Sequence, residues 1–394
     1  MIYIVTGANY GDEGKGLVTN VFANEDCLVV LSNGSSQRAH TVVHDGQRVV
    51  FRHFGSGTLK GAATYFAKDF LVNPAMFRQE YLKLEALGIK PLVYMHEDCA
   101  FVTPVDMFAS INIESRRENR HGTTGCGVWE TIRRGKYIGE ITEARRVEDV
   151  GCIDSNLIKY YEYRLAGIED EIPQVALDFL HGPALAYNFR QDVEFMLDHV
   201  KIIRYDEEKL FLHKWKDIIF ENGQGLLLDT DYVGESIYTT PCHVGARIPA
   251  RIIFENFAGE NPKVESIYVT RTYLTRHGNG DIGAAQEAGT TNWYEISPFM
   301  TEDKTNVPNS CQGTIRYARF SEDDGRDLVQ RIHRDTILLT TCGIDTQTSL
   351  AVTHTNEYAL KNLTDNLVNN HFKFKWNLYT SDNEETLNMA GVDE

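Results

Sequence analysis

Lys15 stands between Gly14 and Gly16, directly after the acidic pair Asp12 and Glu13 and a few residues beyond the apolar run Ile2–Val5. Glycines and a lysine after such a run suit a phosphate cradle, with backbone N–H groups at a helix start and an ammonium that reaches a terminal phosphate. The interval departs from the ordinary P-loop. Six residues separate Gly7 from Gly14, a longer spacing than that motif has, and Gly16 stands where it places a magnesium-binding Ser or Thr. Carboxylates in a phosphate cradle are repulsive unless they do chemistry. Asp12 can hold Mg2+ in place of the missing hydroxyl, or act as a general base toward a second substrate beside the phosphate. A solvated turn, or negative charge at a helix N-terminus, is the structural alternative.

A second polar stretch, NGSSQRAHT (Asn33–Thr41), follows the next strand-like segment. His40 within it can donate a hydrogen bond to an oxygen on which charge develops.

These loops need a scaffold. Short apolar segments recur at Ile2–Thr6, Cys27–Leu31, Lys201–Ile203, Asp217–Glu221, Val264–Thr270 and Thr336–Thr341, and helical periodicity runs through Pro74–Leu87 and Gly325–Arg334. The alternation predicts an α/β fold, one domain over residues 1–394, with a large, mainly parallel central sheet flanked by helices. The phosphate loop then follows the first strand. Glycines cluster at Gly7–Gly16, Gly34–Ser36, Gly122–Gly127, Gly223–Gly225 and Gly278–Gly283, and loops after strands are where such folds carry ligands.

The net charge of −17 argues against a broad nucleic-acid or anionic-membrane surface. No apolar stretch approaches the ~20 residues of a membrane span, and the first residues lack the pattern of a secretory leader. Seven scattered cysteines, none in a CxxC pair, read as free thiols in a reducing compartment. A cytoplasmic protein is expected, in the host cytoplasm if the source is viral.

Four blocks in order, Gly11–Gly16 with Ala39-His40-Thr41, then GTTGCG (Gly122–Gly127) with RRG (Arg133–Gly135), then ENGQGLLLD (Glu221–Asp229), resemble the adenylosuccinate synthetase family over roughly residues 1–345. The resemblance implies a ligase that joins L-aspartate to a 6-oxopurine nucleotide. A base removes the N1 proton while O6 attacks the γ-phosphate of a nucleoside triphosphate, and the aspartate amine then displaces phosphate at C6. It implies Asp12 as base, His40 and Lys15 as its catalytic companions, and Mg2+ held by Asp12 and the Ala39 carbonyl. The donor nucleotide falls to Gly11, Glu13, Gly14, Lys15, Gly16, Thr41 and Arg316. The acceptor nucleotide falls to Gln37, Arg38, Thr123, Thr124, Arg133, Gln224, Thr239 and Thr314, where Gln224 reads the purine edge. Arg133 matches an arginine that enters a neighbouring subunit's site, which implies a homodimer. Singly, these residues also read as turn threonines, a solvated glutamine and a surface basic pair.

Departures from the family pattern bear on the substrates. The aspartate loop reads SCQGTIR, so Ser310, Cys311, Gln312, Gly313, Thr314 and Arg316 stand in it, and Thr314 replaces an arginine that touches the ribose 2′-hydroxyl. The guanine-reading Thr-Lys-x-Asp segment aligns with TTCGID (Thr340–Asp345), without its lysine, and the C-terminal loop is replaced by YTSDNEET (Tyr379–Thr386). Together with a shortened Gly127–Arg133 interval, these changes resemble the viral branch that couples aspartate to dGMP with ATP or dATP to make a 2-aminoadenine nucleotide. Asp12 itself is a departure from that branch, many of whose members carry Ser there. Two alternatives remain open: an IMP- and GTP-using synthetase with drifted loops, and a nucleotide-binding regulator without catalysis.

Overall fold

The computed structural model describes residues 1–118, 120–138, 183–234, 238–283, 313–320, 322–356 and 376–390. Its strands are β1 (Ile2–Gly7), β2 (Cys27–Leu31), β3 (His40–His44), β4 (Gln47–Phe51), β5 (Ala63–Phe66), β6 (Val93–His96), β7 (Lys201–Ile203), β8 (Asp217–Gly225), β9 (Val264–Arg271), β10 (Leu274–Arg276), β11 (Arg316–Ala318), β12 (Thr346–Thr353), β13 (Asn377–Thr380) and β14 (Asn388–Ala390). Ten of them form one sheet in the order β14-β13-β12-β9-β1-β8-β2-β5-β6-β7. Every pairing in it is parallel except β13 with β14 at one edge. The large, mainly parallel sheet expected from the alternation is therefore what the chain builds.

The main helices are α1 (Lys15–Phe22), α2 (Pro74–Ala86), α3 (Pro104–Arg116), α4 (Val128–Ile138), α5 (Pro183–His199), α6 (Arg247–Phe257) and α7 (Glu322–Thr341). Neighbouring strand residues point to opposite faces, so a sheet with helices on both sides must be apolar at successive positions. Val29, Leu31, Ile219 and Ile267 pack with Phe77 and Tyr81 of α2 and Val193 of α5. Leu28, Val30, Ile218 and Phe220 pack with Ile248 and Ile252 of α6 and Leu339 of α7. None of the helices described is long and apolar enough to cross a membrane. The described cysteines Cys27, Cys99, Cys126, Cys242 and Cys342 are free.

One expected strand is a helix. Thr336–Thr341 forms the last turns of α7, where Ile332, Asp335, Thr336 and Leu339 are buried at helical spacing. Its threonine hydroxyls donate back to carbonyls one turn earlier, Thr336 to Ile332 at 2.8 Å and Thr340 to Ile337 at 2.9 Å. The late strand is instead β12, so the loop comparable with a Thr-Lys-x-Asp segment is Thr353–Asn356, reading Thr-His-Thr-Asn. TTCGID links the end of α7 to the start of β12, at the opposite end of the sheet. The corrected segment also lacks a lysine.

Candidate active site

The loops after β1, β2, β8, β9 and β12 meet at the carboxyl ends of the parallel strands. After β1 the chain turns through Gly11 (φ 98°), Asp12 (φ 59°) and Gly14 (φ 95°) into α1. Gly14 caps that helix with no side-chain hydrogen bond, so no side chain claims the first-turn N–H groups. Close approach holds the loop in place. A Cβ on Gly225 would lie 2.2 Å from the Asn9 carbonyl oxygen and 2.6 Å from the Gly11 nitrogen. On Gly16 it would lie 2.8 Å from the Thr41 carbonyl oxygen and 3.1 Å from His40 Cβ, so β3 rests against the start of α1.

The two acids of the loop have different surroundings. Glu13 is turned inward, its Oε1 accepting from the Asn9 N–H at 2.6 Å, and burial pushes its carboxyl up to about 7 against the pull of Lys15. Lys15 is buried with it, and burial lowers its ammonium. Asp12 keeps a partly exposed carboxylate, 3.5 Å from His277 Nε2. Its carbonyl accepts from Arg271 Nε at 2.5 Å, and Thr353 Oγ1 donates to the Glu13 carbonyl at 2.7 Å. The strained backbone of Asp12 is thus fixed from neighbouring strands.

Across the Gly16 contact lies a buried triad. His40 Nδ1 is 2.6 Å from Glu221 Oε1, and Arg38 Nη2 is 3.1 Å from Glu221 Oε2 and 3.0 Å from His40 Nδ1. Ser56 donates to the same carboxylate through its N–H at 3.0 Å and through its hydroxyl. Burial, and then the Arg38 charge, hold the imidazole down at about 4, so it rests neutral. Burial alone would raise the Glu221 carboxyl, but Arg38 overrides it, with help from the His40 and Ser56 hydrogen bonds, and keeps it down at about 2. An anion that binds Nδ1–H leaves Nε2 as the working atom and supports a positive ring when negative charge arrives.

Of the expected nucleotide residues, Gln224 follows Glu221 on β8 and Gln37 directly precedes Arg38. Gln224 adopts φ 67° at the end of β8, and the amide oxygens of Gln224 and Gln37 are both buried without a protein partner. Arg38 lies under the site, spending its charge on Glu221. Thr123 and Thr124 lie in the loop before α4, whose Gly122 abuts Gly278, with a would-be Cβ only 2.6 Å from the Gly278 Cα. Thr239 follows Tyr238, whose ring stacks under the Arg276 guanidinium at 5.9 Å. Arg316 donates to the Gly278 and Gly280 carbonyls at 2.7 and 2.8 Å, binding this loop to β11. Gly313 and Thr314 are exposed, while Ser310, Cys311 and Gln312 lie outside the described residues. In the RRG block Arg134 is fully buried against Asp106 at 3.0 Å, while Arg133 stays half-buried on α4.

Sequence reasoning assigned nothing to Glu221, Ser56, Arg271 or His277. Glu221 had a signal, an acid directly after the apolar run Ile218-Ile219-Phe220, where a buried carboxylate needs a cationic partner. For Mg2+, the Asp12 carboxylate before α1 and the Ala39 carbonyl before β3 are hard oxygens of the kind that cation takes. Asp229, Asp231 and His243 also offer ligand atoms within 4.8 Å of one another. Those oxygens are engaged, Asp229 by the Val244 N–H at 2.6 Å and Asp231 by Arg247 at 2.7 Å.

Known proteins share this architecture. The cyanophage S-2L succinoaminodeoxyadenylate synthetase, solved with dGMP and with dATP as an energy donor, superposes with a TM-score of 0.64 at 15% identity, covering 98% of this chain and 95% of that one. A fully ligated adenylosuccinate synthetase from Plasmodium falciparum gives 0.61 at 16% identity, covering 89% and 76%. Both likenesses concern the fold. Among sequences, the adenylosuccinate synthetase of Buchnera aphidicola is 26% identical over 293 residues, 70% of this chain, and that of Colwellia psychrerythraea is 26% identical over 348 residues, 82% of this chain. The chain spans 63% of the length of the Buchnera relative and 70% of the Colwellia one. The family model for adenylosuccinate synthetase matches residues 4–299, well over half of the length, and the chain belongs to that family.

Proposed function

We propose that the protein is a purine nucleotide–aspartate ligase that takes dGMP as acceptor and ATP or dATP as donor, giving N6-succino-2-amino-2′-deoxyadenylate. The observation that carries the reading is one helix start that follows a partly exposed acid, Asp12, and rests through Gly16 on the buried His40–Glu221 pair. A pure phosphate binder has no use for either.

Asp12 accepts the purine N1 proton, so that negative charge builds on O6 as it attacks the γ-phosphorus. The first-turn N–H groups of α1, with Lys15, hold the donor phosphates. His40 faces the developing charge through Nε2, and the Glu221 carboxylate stabilises the ring as it becomes cationic. Mg2+, held by Asp12 and the Ala39 carbonyl, supplies charge neutralisation for the phosphates when bound. In the second step the aspartate amine attacks C6 and inorganic phosphate leaves.

The choice of substrates is supported by side chains at the rim. Gln224 and Gln37 carry buried amide oxygens without protein partners, which suit the donor groups of a 2-amino purine edge. Thr353–Asn356 and the β13 loop are joined by a Thr355 N–H bond to the Ser381 carbonyl at 3.0 Å, and neither offers a lysine to a guanine donor. Thr314 removes an arginine from the ribose side. The S-2L synthetase, of the same fold, binds dGMP and dATP. Asp12 with its magnesium, two exchanging nucleotides and a second subunit contributing Arg133 complete the reading.

The test is a mass-spectrometric product assay with L-aspartate and Mg2+, crossing IMP, dIMP, GMP and dGMP against ATP, dATP and GTP. A succinyl adduct of dGMP with an adenine donor is expected. An adduct formed only from IMP with GTP overturns the substrate assignment, and no adduct in any combination overturns the ligase reading.

A further inference from the structure

One segment supplies several contacts to the crest of the phosphate loop. Arg271, at the end of β9, donates to the Asp12 carbonyl at 2.5 Å, and Thr275 of β10 donates through its hydroxyl to the Gly11 carbonyl at 2.9 Å. His277 then brings Nε2 to 3.5 Å from Asp12 Oδ2. Its side chain is only 16% exposed, so the ring is held in place. The next residue, Gly278, packs on Gly122 of the loop that carries Thr123 and Thr124, and its carbonyl accepts from Arg316. His277 therefore sits where the base, the acceptor-side loop and the arginine of β11 join.

We propose that His277 is a positioning residue for Asp12: its Nε2–H holds Oδ2, fixing which carboxylate oxygen faces the acceptor nucleotide. The inference rests on Asp12 being the base. The His277 ring stands beside the Asp12 carboxylate, so a donor there selects among the staggered rotamers of that side chain. The separation must close by about half an ångström to become a hydrogen bond, the kind of tightening expected when substrate fills a catalytic site. Because Gly278 is tied to both Gly122 and Arg316, occupation of those loops moves or steadies His277, and thereby Asp12. A base misaimed by even a small displacement loses rate rather than affinity.

The experiment compares His277→Leu, which cannot donate, with His277→Gln, whose amide can reach the same oxygen, in the product assay with both nucleotides varied. Loss of a hydrogen bond to a charged group predicts that His277→Leu lowers kcat by about 10- to 100-fold. KM for both nucleotides stays near wild type, and His277→Gln recovers most of the rate. Equal losses in the two variants, a rise in KM that accounts for the loss, or full activity in His277→Leu overturns the proposal. If the wild-type protein forms no adduct, the ligase reading has failed, and the contact is decided without turnover. The ¹⁵N shifts of the His277 ring are then compared between wild type and Asp12→Ala: a change of tautomer population upholds the contact, and identical shifts overturn it.

Discussion

Glu221→Gln separates what the buried triad does for folding from what it does for chemistry. The amide keeps the shape of the carboxylate, but it offers one acceptor oxygen where the His40 Nδ1–H and the Ser56 N–H use two, and its charge is gone. Arg38, buried and 3.1 Å from that carboxylate, is left as an uncompensated guanidinium. Removing one partner of a buried pair costs about 3–5 kcal/mol, whereas replacing both partners is often close to neutral. Urea unfolding should therefore show a large loss in Glu221→Gln that is mostly restored in Arg38→Met/Glu221→Gln. Catalysis should behave differently. The carboxylate lies 2.6 Å from His40 Nδ1. Between charge centres about 5 Å apart, at an effective dielectric of about 20, its support for a cationic ring is worth about 3 kcal/mol. That corresponds to a roughly 100-fold fall in kcat. Part of the fall should remain in the double variant: losing Arg38 removes a charge that opposes a cationic ring, but returns no anion to the histidine. A single variant as stable as wild type, or a double variant with wild-type kcat, would refute the reasoning.

Three further outcomes are expected. Asp12→Asn should abolish adduct formation while nucleotide affinity, read by titration calorimetry, is kept; near-normal turnover would remove Asp12 as the base. Gly225→Ala places a methyl 2.2 Å from the Asn9 carbonyl oxygen at an ordinary φ of −145°, so the clash acts alone. It should cost about 1–3 kcal/mol in denaturant unfolding and weaken donor binding. His53 is fully buried and accepts the Asn73 N–H at 2.9 Å, and burial, with Arg38 and Arg52, holds it down at about 3 from 6.5. A depressed folded value means that its contribution is present above 6.5 and is lost as pH falls toward 3. His53→Gln should flatten the acid side of the stability curve by about 1 kcal/mol per pH unit between roughly pH 6 and 4.

The strands that could be read directly carry an apolar run, unbroken in Cys27–Leu31 and flanked by polar residues in β7, β8 and β9. Cys27–Leu31 and Lys201–Ile203 appear at the expected bounds, and β1, β8 and β9 extend by one to four residues. The same criterion failed at Thr336–Thr341, since an apolar run with β-branched ends fits a buried strand as well as the inner face of a long helix. The error propagated. Taking that run as the late strand moved the donor-reading loop onto TTCGID, while β12, TQTSLAVT, looks too polar for a strand until Ser349 is seen to donate to Glu265 at 2.6 Å. Periodicity cannot reveal a polar strand whose hydroxyls are satisfied by the strand beside it.

The acids of the phosphate loop illustrate the other limit. Asp12 and Glu13 are adjacent and chemically alike, so spacing alone does not say which of them turns inward. The fold separates them by the direction each side chain takes. A left-handed turn at Asp12 leaves one carboxylate partly exposed beside His277, while the next residue folds beneath the loop onto Asn9 and Lys15. Inward, Glu13 offsets the charge of the buried Lys15 and shapes the cradle. At the crest, Asp12 is the carboxylate left partly exposed. Two acids side by side in one glycine-rich loop are consistent when one turns inward and is buried and the other stays partly exposed at the crest. Residues 181 and 265 positions away, Glu221 beside His40 and His277 beside Asp12, complete the surroundings of these two side chains. Only the order of strands in the sheet brings them there.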